Sequence, residues 1–137
     1  MMVFTVKSKL SKKFIDQTSE GNVMTIVWDK TACLKRMRDS EDFLNQLIRM
    51  FLDDMPEHMK NLTQAINNNN FSQIHFHAHI IKGIAGNLSA LQLYHQVHLL
   101  ELAAKVENKK EIKTLNESII DCQKNISDEF NSYLIAS

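Results

Sequence analysis

The stretch Ala78-His79-Ile80-Ile81-Lys82-Gly83-Ile84-Ala85-Gly86-Asn87-Leu88 decides how this chain reads. At about 100° per residue in a helix, Lys82, Gly83 and Gly86 fall within about 60° of His79. Ile74, Ile80, Ile81, Ile84, Ala85 and Leu88 fall on the other side. The spacing predicts a helix whose histidine stands off the apolar stripe, with a cation one turn on and neighbours that lack side chains. Glycines inside a helix cost about 1 kcal/mol each relative to alanine. On the polar face, access to His79 accounts for them better than close helix packing does. An imidazole that a second macromolecule must reach wants that arrangement.

Outward from this segment the pattern is helical throughout. A chain of 137 residues supports one domain with one core. Only 3 glycines and 1 proline leave too few turn residues for a sheet protein, so the chain reads as all-α. Asp29 caps a short helix reaching Arg36, with Trp28 as a staple before it. Asp39 or Ser40 starts a long helix carrying the stripe Phe43, Leu44, Leu47, Ile48, Phe51, Leu52, Met55, Met59, Leu62 and Ile66. Pro56 is expected to bend that helix without ending it. The histidine helix runs from about Phe71 to Gly86 after the polar connection Asn67 to Asn70. Ser89 then caps a fourth helix with Leu93, Tyr94, Val97, Leu100 and Ala104 inward. A fifth, from about Lys109 to Leu134, buries Ile112, Leu115, Ile119, Cys122, Ile126 and Tyr133. The expectation is an antiparallel four-helix bundle over residues 25–137, with a short additional N-terminal helix. Residues 1–24, which carry Lys7, Lys9, Lys12 and Lys13, read as a linker or N-terminal tail, helical or not.

Composition narrows the function classes. Lys plus Arg and Asp plus Glu balance at 16 each, so no global field favours nucleic acid or an acidic membrane. No apolar run approaches the roughly 20 residues that span a bilayer. Cys33 and Cys122 lie far apart with no CxxC pairing and read as reduced, packed thiols of a cytoplasmic protein.

Chemistry gathers at His79. Lys82 is positioned to stabilise a negative group carried on the ring. Glu101 lies on the inward edge of the fourth helix, and a carboxylate there needs a partner. The Nδ1–H of His79 is a good one, because that bond fixes the tautomer and leaves Nε2 free to attack. His75 and Phe76 flank His79 toward the exposed face, where they can meet a partner together with Lys82, Gly83 and Gly86. His77 falls on the core side and reads as a hydrogen-bonded core histidine. His75 and His79 at i, i+4, with His95 and His98 on the next helix, also allow a metal-binding bundle. There is no HExxH and no nearby cysteine, so no metal site is assigned.

At these residues the chain resembles a known family. The segment from Ala78 to Ala90 is similar to the signature of histidine-containing phosphotransfer (HPt) domains, and Phe51-Leu52-Asp53-Asp54-Met55-Pro56-Glu57 and Leu100-Glu101-Leu102-Ala103-Ala104 are similar to its flanks. The likeness covers roughly Val27 to Asn108. It implies a bundle that relays phosphate between aspartates of response-regulator receiver domains, often inside a hybrid sensor kinase, with His79 phosphorylated and Glu101 in the place of the residue that orients its ring. Ser89 stands near where the family often has glycine, a departure expected to matter little at a helix start. The resemblance implies that the receiver brings the aspartate and the Mg²⁺, so this domain is expected to bind no cofactor. No Walker motif or Gly-rich loop is present, and the domain is expected to carry phosphate without turning over.

The reading is therefore a monomeric, cytoplasmic phosphocarrier, without membrane or nucleic-acid contact, that works with receivers or with its own hybrid sensor kinase at the cytoplasmic end of a membrane sensor. The alternatives are a non-phosphorylated helical adaptor that only binds receivers, and the metal-binding bundle.

Overall fold

The structure, a computed structural model, describes residues 26–136. The expected linker or tail at 1–24 lies outside the described residues. Five helices follow: α1 Lys30–Arg36, α2 Glu41–Asn67, α3 Phe71–Asn87, α4 Leu91–Lys105 and α5 Lys109–Ala136. Among the described residues there is no strand. Successive helices from α2 onward pack side by side, and α5 closes back on α2. This is the antiparallel four-helix bundle that the apolar spacing predicts, with α1 as the extra short helix.

Local sequence sets the boundaries. Asp29 accepts from the Ala32 amide at 3.1 Å, Ser40 from Phe43 at 3.2 Å, Asn70 from Gln73 at 3.2 Å and Asn108 from Glu111 at 3.1 Å. Each satisfies an orphan donor of a first turn. The connections after α2, α3 and α4 share one construction, in which the amides of Asn70, Ala90 and Asn108 reach back to the carbonyls of Ala65 (3.0 Å), Ala85 (2.9 Å) and Ala103 (3.0 Å). That Schellman pairing needs a left-handed residue just before the next cap. Asn69 (φ 52°), Ser89 (φ 56°) and Glu107 (φ 55°) supply it. Ser89 therefore does not cap α4, contrary to the sequence expectation: Ala90 holds the cap position, with no side-chain hydrogen bond. The low glycine count is compatible with tight turns because these side chains accept the left-handed conformation.

The core runs the length of the bundle. It takes Leu44, Ile48, Met55 and Leu62 from α2, Ile74 and Ile81 from α3, Leu93, Val97 and Leu100 from α4, and Ile119, Ile126 and Phe130 from α5. α2 continues unbroken through Pro56, which faces solvent. Two expected core residues are instead exposed, Phe43 at 48% and Tyr94 at 40%. Both sit at the edge of their stripe, where a neighbouring helix covers one side only. Tyr133 is half-buried, its hydroxyl donating to Glu41 at 2.9 Å, while Phe130, absent from the expected stripe, is fully buried.

α1 and the residues before it clamp the end of the histidine helix. The Trp28 indole donates to the Leu88 carbonyl at 2.8 Å, and the Asp29 amide donates to the Ser89 carbonyl at 2.9 Å. Arg36 donates to the Gly86 carbonyl at 2.9 Å and to the Ser89 hydroxyl. Trp28 also packs edge-on against Phe130 at 4.9 Å and Tyr133 at 5.5 Å, which ties the α3–α4 turn to α5. Trp28 thus does more than the expected stapling of α1.

Glu107 is exposed, and its left-handed backbone carries a cost of about 1–2 kcal/mol that a Cβ-free residue avoids. Glu107→Gly is expected to raise the unfolding free energy by about 0.5–1 kcal/mol after the extra unfolded-chain entropy of glycine is subtracted. Urea unfolding, with Glu107→Ala as the unchanged control, measures it.

Candidate functional site

One carboxylate organises the site. Glu101 lies on the α3-facing side of α4, where its side chain is only 9% exposed. The His79 ring nitrogen Nδ1 is 2.7 Å from Glu101 Oε2, and Lys82 Nζ is 2.6 Å from Glu101 Oε1. A third basic group waits nearby, with His75 Nε2 at 3.7 Å from Oε2, beyond hydrogen-bond range. The spacing i, i+4, i+7 puts His75, His79 and Lys82 along one edge of α3.

Burial alone pushes the Glu101 carboxyl up. The hydrogen bonds from Lys82 and His79, together with their charges, outweigh it and hold Glu101 below the usual glutamate range. Glu101 is therefore ionised near neutral pH and can only accept. The proton between it and His79 must sit on Nδ1, which leaves the Nε2 lone pair of a neutral ring free. The His79 side chain is 67% exposed, so that lone pair faces solvent. The arrangement is an oriented nucleophile with an adjacent cation. The expected pairing of Glu101 with His79 is thus present, and Lys82 joins the same carboxylate, which sequence spacing does not reveal.

The glycines are not equivalent. A Cβ on Gly83 would meet nothing within 4 Å, so bare backbone is open beside His79. A Cβ on Gly86 would lie 3.3 Å from the Tyr94 ring. Gly86 therefore serves close packing of α3 on α4 as well as access, against the expectation that access alone accounts for it. On a helical wheel it sits about 20° from His79 toward α4, whereas Gly83 sits about 40° toward α2. Phe76 is exposed on that α2 side.

Beyond Gly83 lies a groove of about 480 Å³ between α1, α2 and α3, lined by Arg36, Met37, Phe43, Met50, Asp54 and Ile84 among others. Single-helix periodicity gives no sign of it, because each helix supplies part of the wall. The signal available was Met50, an apolar residue outside the inward stripe.

The remaining candidates fall as follows. His77 is half-buried, its ring on edge to Phe76 at 5.1 Å, and so is not sunk in the core as the sequence suggested. A ring on the boundary between two helices meets solvent on one side. His75 and His79 rings lie parallel (3°) with centroids 6.5 Å apart. Among the described residues no group of three or more His, Cys, Asp or Glu side chains is placed to hold a metal ion. Cys33 and Cys122 are buried and unpaired, and burial pushes the Cys122 thiol up to about 12. Among the described residues no helix is long and apolar enough to cross a membrane.

Residues 46–130 match the model of the Hpt domain. In solved structures the fold is similar to that of histidine-containing phosphotransfer protein B from Pseudomonas aeruginosa PAO1. The two share 19% identity and a TM-score of 0.76 over 82% of this chain and 98% of that one. No curated protein is detectably similar in sequence.

Two outcomes test the geometry. In ¹⁵N spectra the neutral His79 ring should show a protonated Nδ1 and a pyridine-like Nε2, a preference lost in Glu101→Ala. The Glu101 carboxyl ¹³C resonance should titrate below the ordinary glutamate range, and Lys82→Met should move its midpoint upward. Because the folded-state value is lowered, the stabilisation from this cluster is complete above the ordinary glutamate range and disappears as pH falls through the lowered value.

Proposed function

The chain belongs to the Hpt domain family, and on that premise we propose that His79 is its phosphoryl acceptor, loaded from the aspartyl phosphate of one receiver domain and discharged to the aspartate of another. The observation that carries the assignment is an exposed imidazole whose Nδ1 lies 2.7 Å from a buried, ionised carboxylate. Holding Nδ1 to Glu101 aims Nε2 at solvent and keeps the ring in the nucleophilic tautomer. Pre-setting that geometry removes part of the entropic cost of an in-line transfer.

The step balances without added groups. The Nε2 lone pair forms the N–P bond while the P–O bond of the acyl phosphate breaks and its electrons return to the receiver carboxylate. His79 keeps its Nδ1 proton and becomes a cationic phosphoimidazole, a form that the Glu101 carboxylate favours. Lys82 offsets the negative charge that arrives. Mg²⁺ is assigned to the receiver, and this domain is a phosphocarrier with no ATP chemistry of its own.

Docking is assigned to the face around His79. Gly83 lets a partner backbone come close, with Phe76 and the α1–α2–α3 groove supplying apolar contact on one side and His75, Lys82 and Gly86 on the other. The partners are receiver domains of response regulators or of a hybrid sensor kinase, met by a single copy of this bundle in the cytoplasm.

Mixing the protein with receiver domains loaded by acetyl phosphate and Mg²⁺ should give an acid-labile, base-stable label that His79→Gln abolishes. Label on His79→Gln would refute the assignment, and a wild-type protein that binds receivers yet stays unlabelled would make it an adaptor. Gly83→Ala separates docking from folding. The added Cβ meets open space, so stability should rise by up to about 1 kcal/mol, while Gly83→Leu should cut the transfer rate more than tenfold, consistent with the loss of roughly 1.4 kcal/mol or more of docking free energy.

A further inference from the structure

Glu101 has more donors within reach than it uses at rest. Among the described residues, His79 and Lys82 contact it directly, and His75 is the one other basic side chain within 4 Å, at 3.7 Å from Oε2. His75 is 43% exposed, so it has room to move, whereas the Lys82 side chain is 20% exposed, drawn in along α3 toward the carboxylate. The His75 and His79 rings are parallel, both with a nitrogen toward the same oxygen. A carboxylate oxygen can accept from more than one donor.

We propose that phosphorylation of His79 redistributes the donors around Glu101: Lys82 leaves Oε1 for the new phosphoryl oxygens, and His75 closes onto the carboxylate in its place, which makes His75 a positioning residue of the phosphorylated state. The proposal rests on His79 being the acceptor.

The driving force is electrostatic. A phosphoryl group brings a charge of roughly −1.5 to −2 and strong acceptor oxygens to within one helical turn of Lys82. That charge exceeds the single negative charge of Glu101, so the ammonium is drawn toward it. Departure of Lys82 would leave a nearly buried carboxylate with a single donor, and an under-paired buried charge is costly. His75 is the group at hand. Its Nε2 needs an approach of about 0.5–1 Å to reach hydrogen-bond distance, which a half-exposed side chain can supply by a small change in χ1 and χ2. No proton has to enter or leave: the Nε2–H tautomer of His75 supplies the donor on the nitrogen nearer Glu101, and His79 retains the proton on Nδ1. The consequence is that His75 affects the phosphorylated form far more than the resting one.

The test follows the lifetime of phospho-His79 after the receiver is removed, in the full chain and at neutral pH. His75→Ala should shorten that lifetime about three- to tenfold, the size of one ordinary net hydrogen bond, while the melting temperature stays within a few degrees of wild type; with the receiver removed, any contribution of His75 to docking does not enter the measurement. His75→Asn, which keeps a donor, should recover part of the loss. In a Glu101→Gln background, His75→Ala should add little, because the charge through which His75 acts is gone. Phosphorus and nitrogen NMR of the loaded protein should show the His75 Nε2–H shift downfield on phosphorylation. An unaltered lifetime in His75→Ala, or an equal effect with and without Glu101, overturns the proposal while leaving His79 as acceptor. Absence of label on the wild-type protein removes the acceptor assignment and this proposal together.

Discussion

A carboxylate that is nearly out of water must be paired, and in this bundle the pairing of Glu101 sets the geometry of the working face. Its partners, His79 and Lys82, both come from the adjacent helix α3. Those contacts fix the rotation and axial register of α3 against α4, because a slip of one residue would leave the charge unpaired at a cost of several kcal/mol. The same register brings Gly86 against Tyr94, where a larger residue at either position would disturb the approach. The orientation of the imidazole thus follows from a packing requirement of the fold.

α3 needs support from outside itself. Its two glycines weaken it as an isolated helix, and Gly86 lies in its last turn, where carbonyls lack intrahelical partners. Trp28, Asp29 and Arg36 supply donors to the carbonyls of Gly86, Leu88 and Ser89. The Arg36 guanidinium also sits at the negative end of the α3 dipole, where a cation is favoured. α1 is small and, with Met37 just after it, adds Cys33 to the core, but its structural role is to hold the end of the helix that carries His79. The two glycines of α3 are tolerated because residues 28–36 fix the end they loosen.

The face around His79 divides into halves with different physics. Toward α4 lie the charged and titratable groups, close together and partly shielded. Toward α2 the surface is open and apolar, with Gly83, Phe76 and the groove that Phe43 and Met50 help to wall. The two halves meet at His79, and each is built from a different pair of helices.

Periodicity and capping residues determined a good deal. The 3–4 spacing in α2, α4 and α5 is a property of each segment alone, as are the Asp29 and Ser40 caps, so the helices and most of the core could be read directly. The position of His79 off the apolar stripe was legible for the same reason, and Glu101 stood out because a carboxylate on an inward edge demands a partner. Tertiary structure decided what depends on two elements at once. Lys82 shares the carboxylate with His79, Gly86 packs on Tyr94, Ser89 takes the left-handed slot of a turn rather than a cap, and Phe43 and Tyr94 face solvent at the margins of their stripes. None of these follows from a single helix, since each is fixed by the rotation of one helix against its neighbour, and a one-dimensional pattern carries no information on that angle.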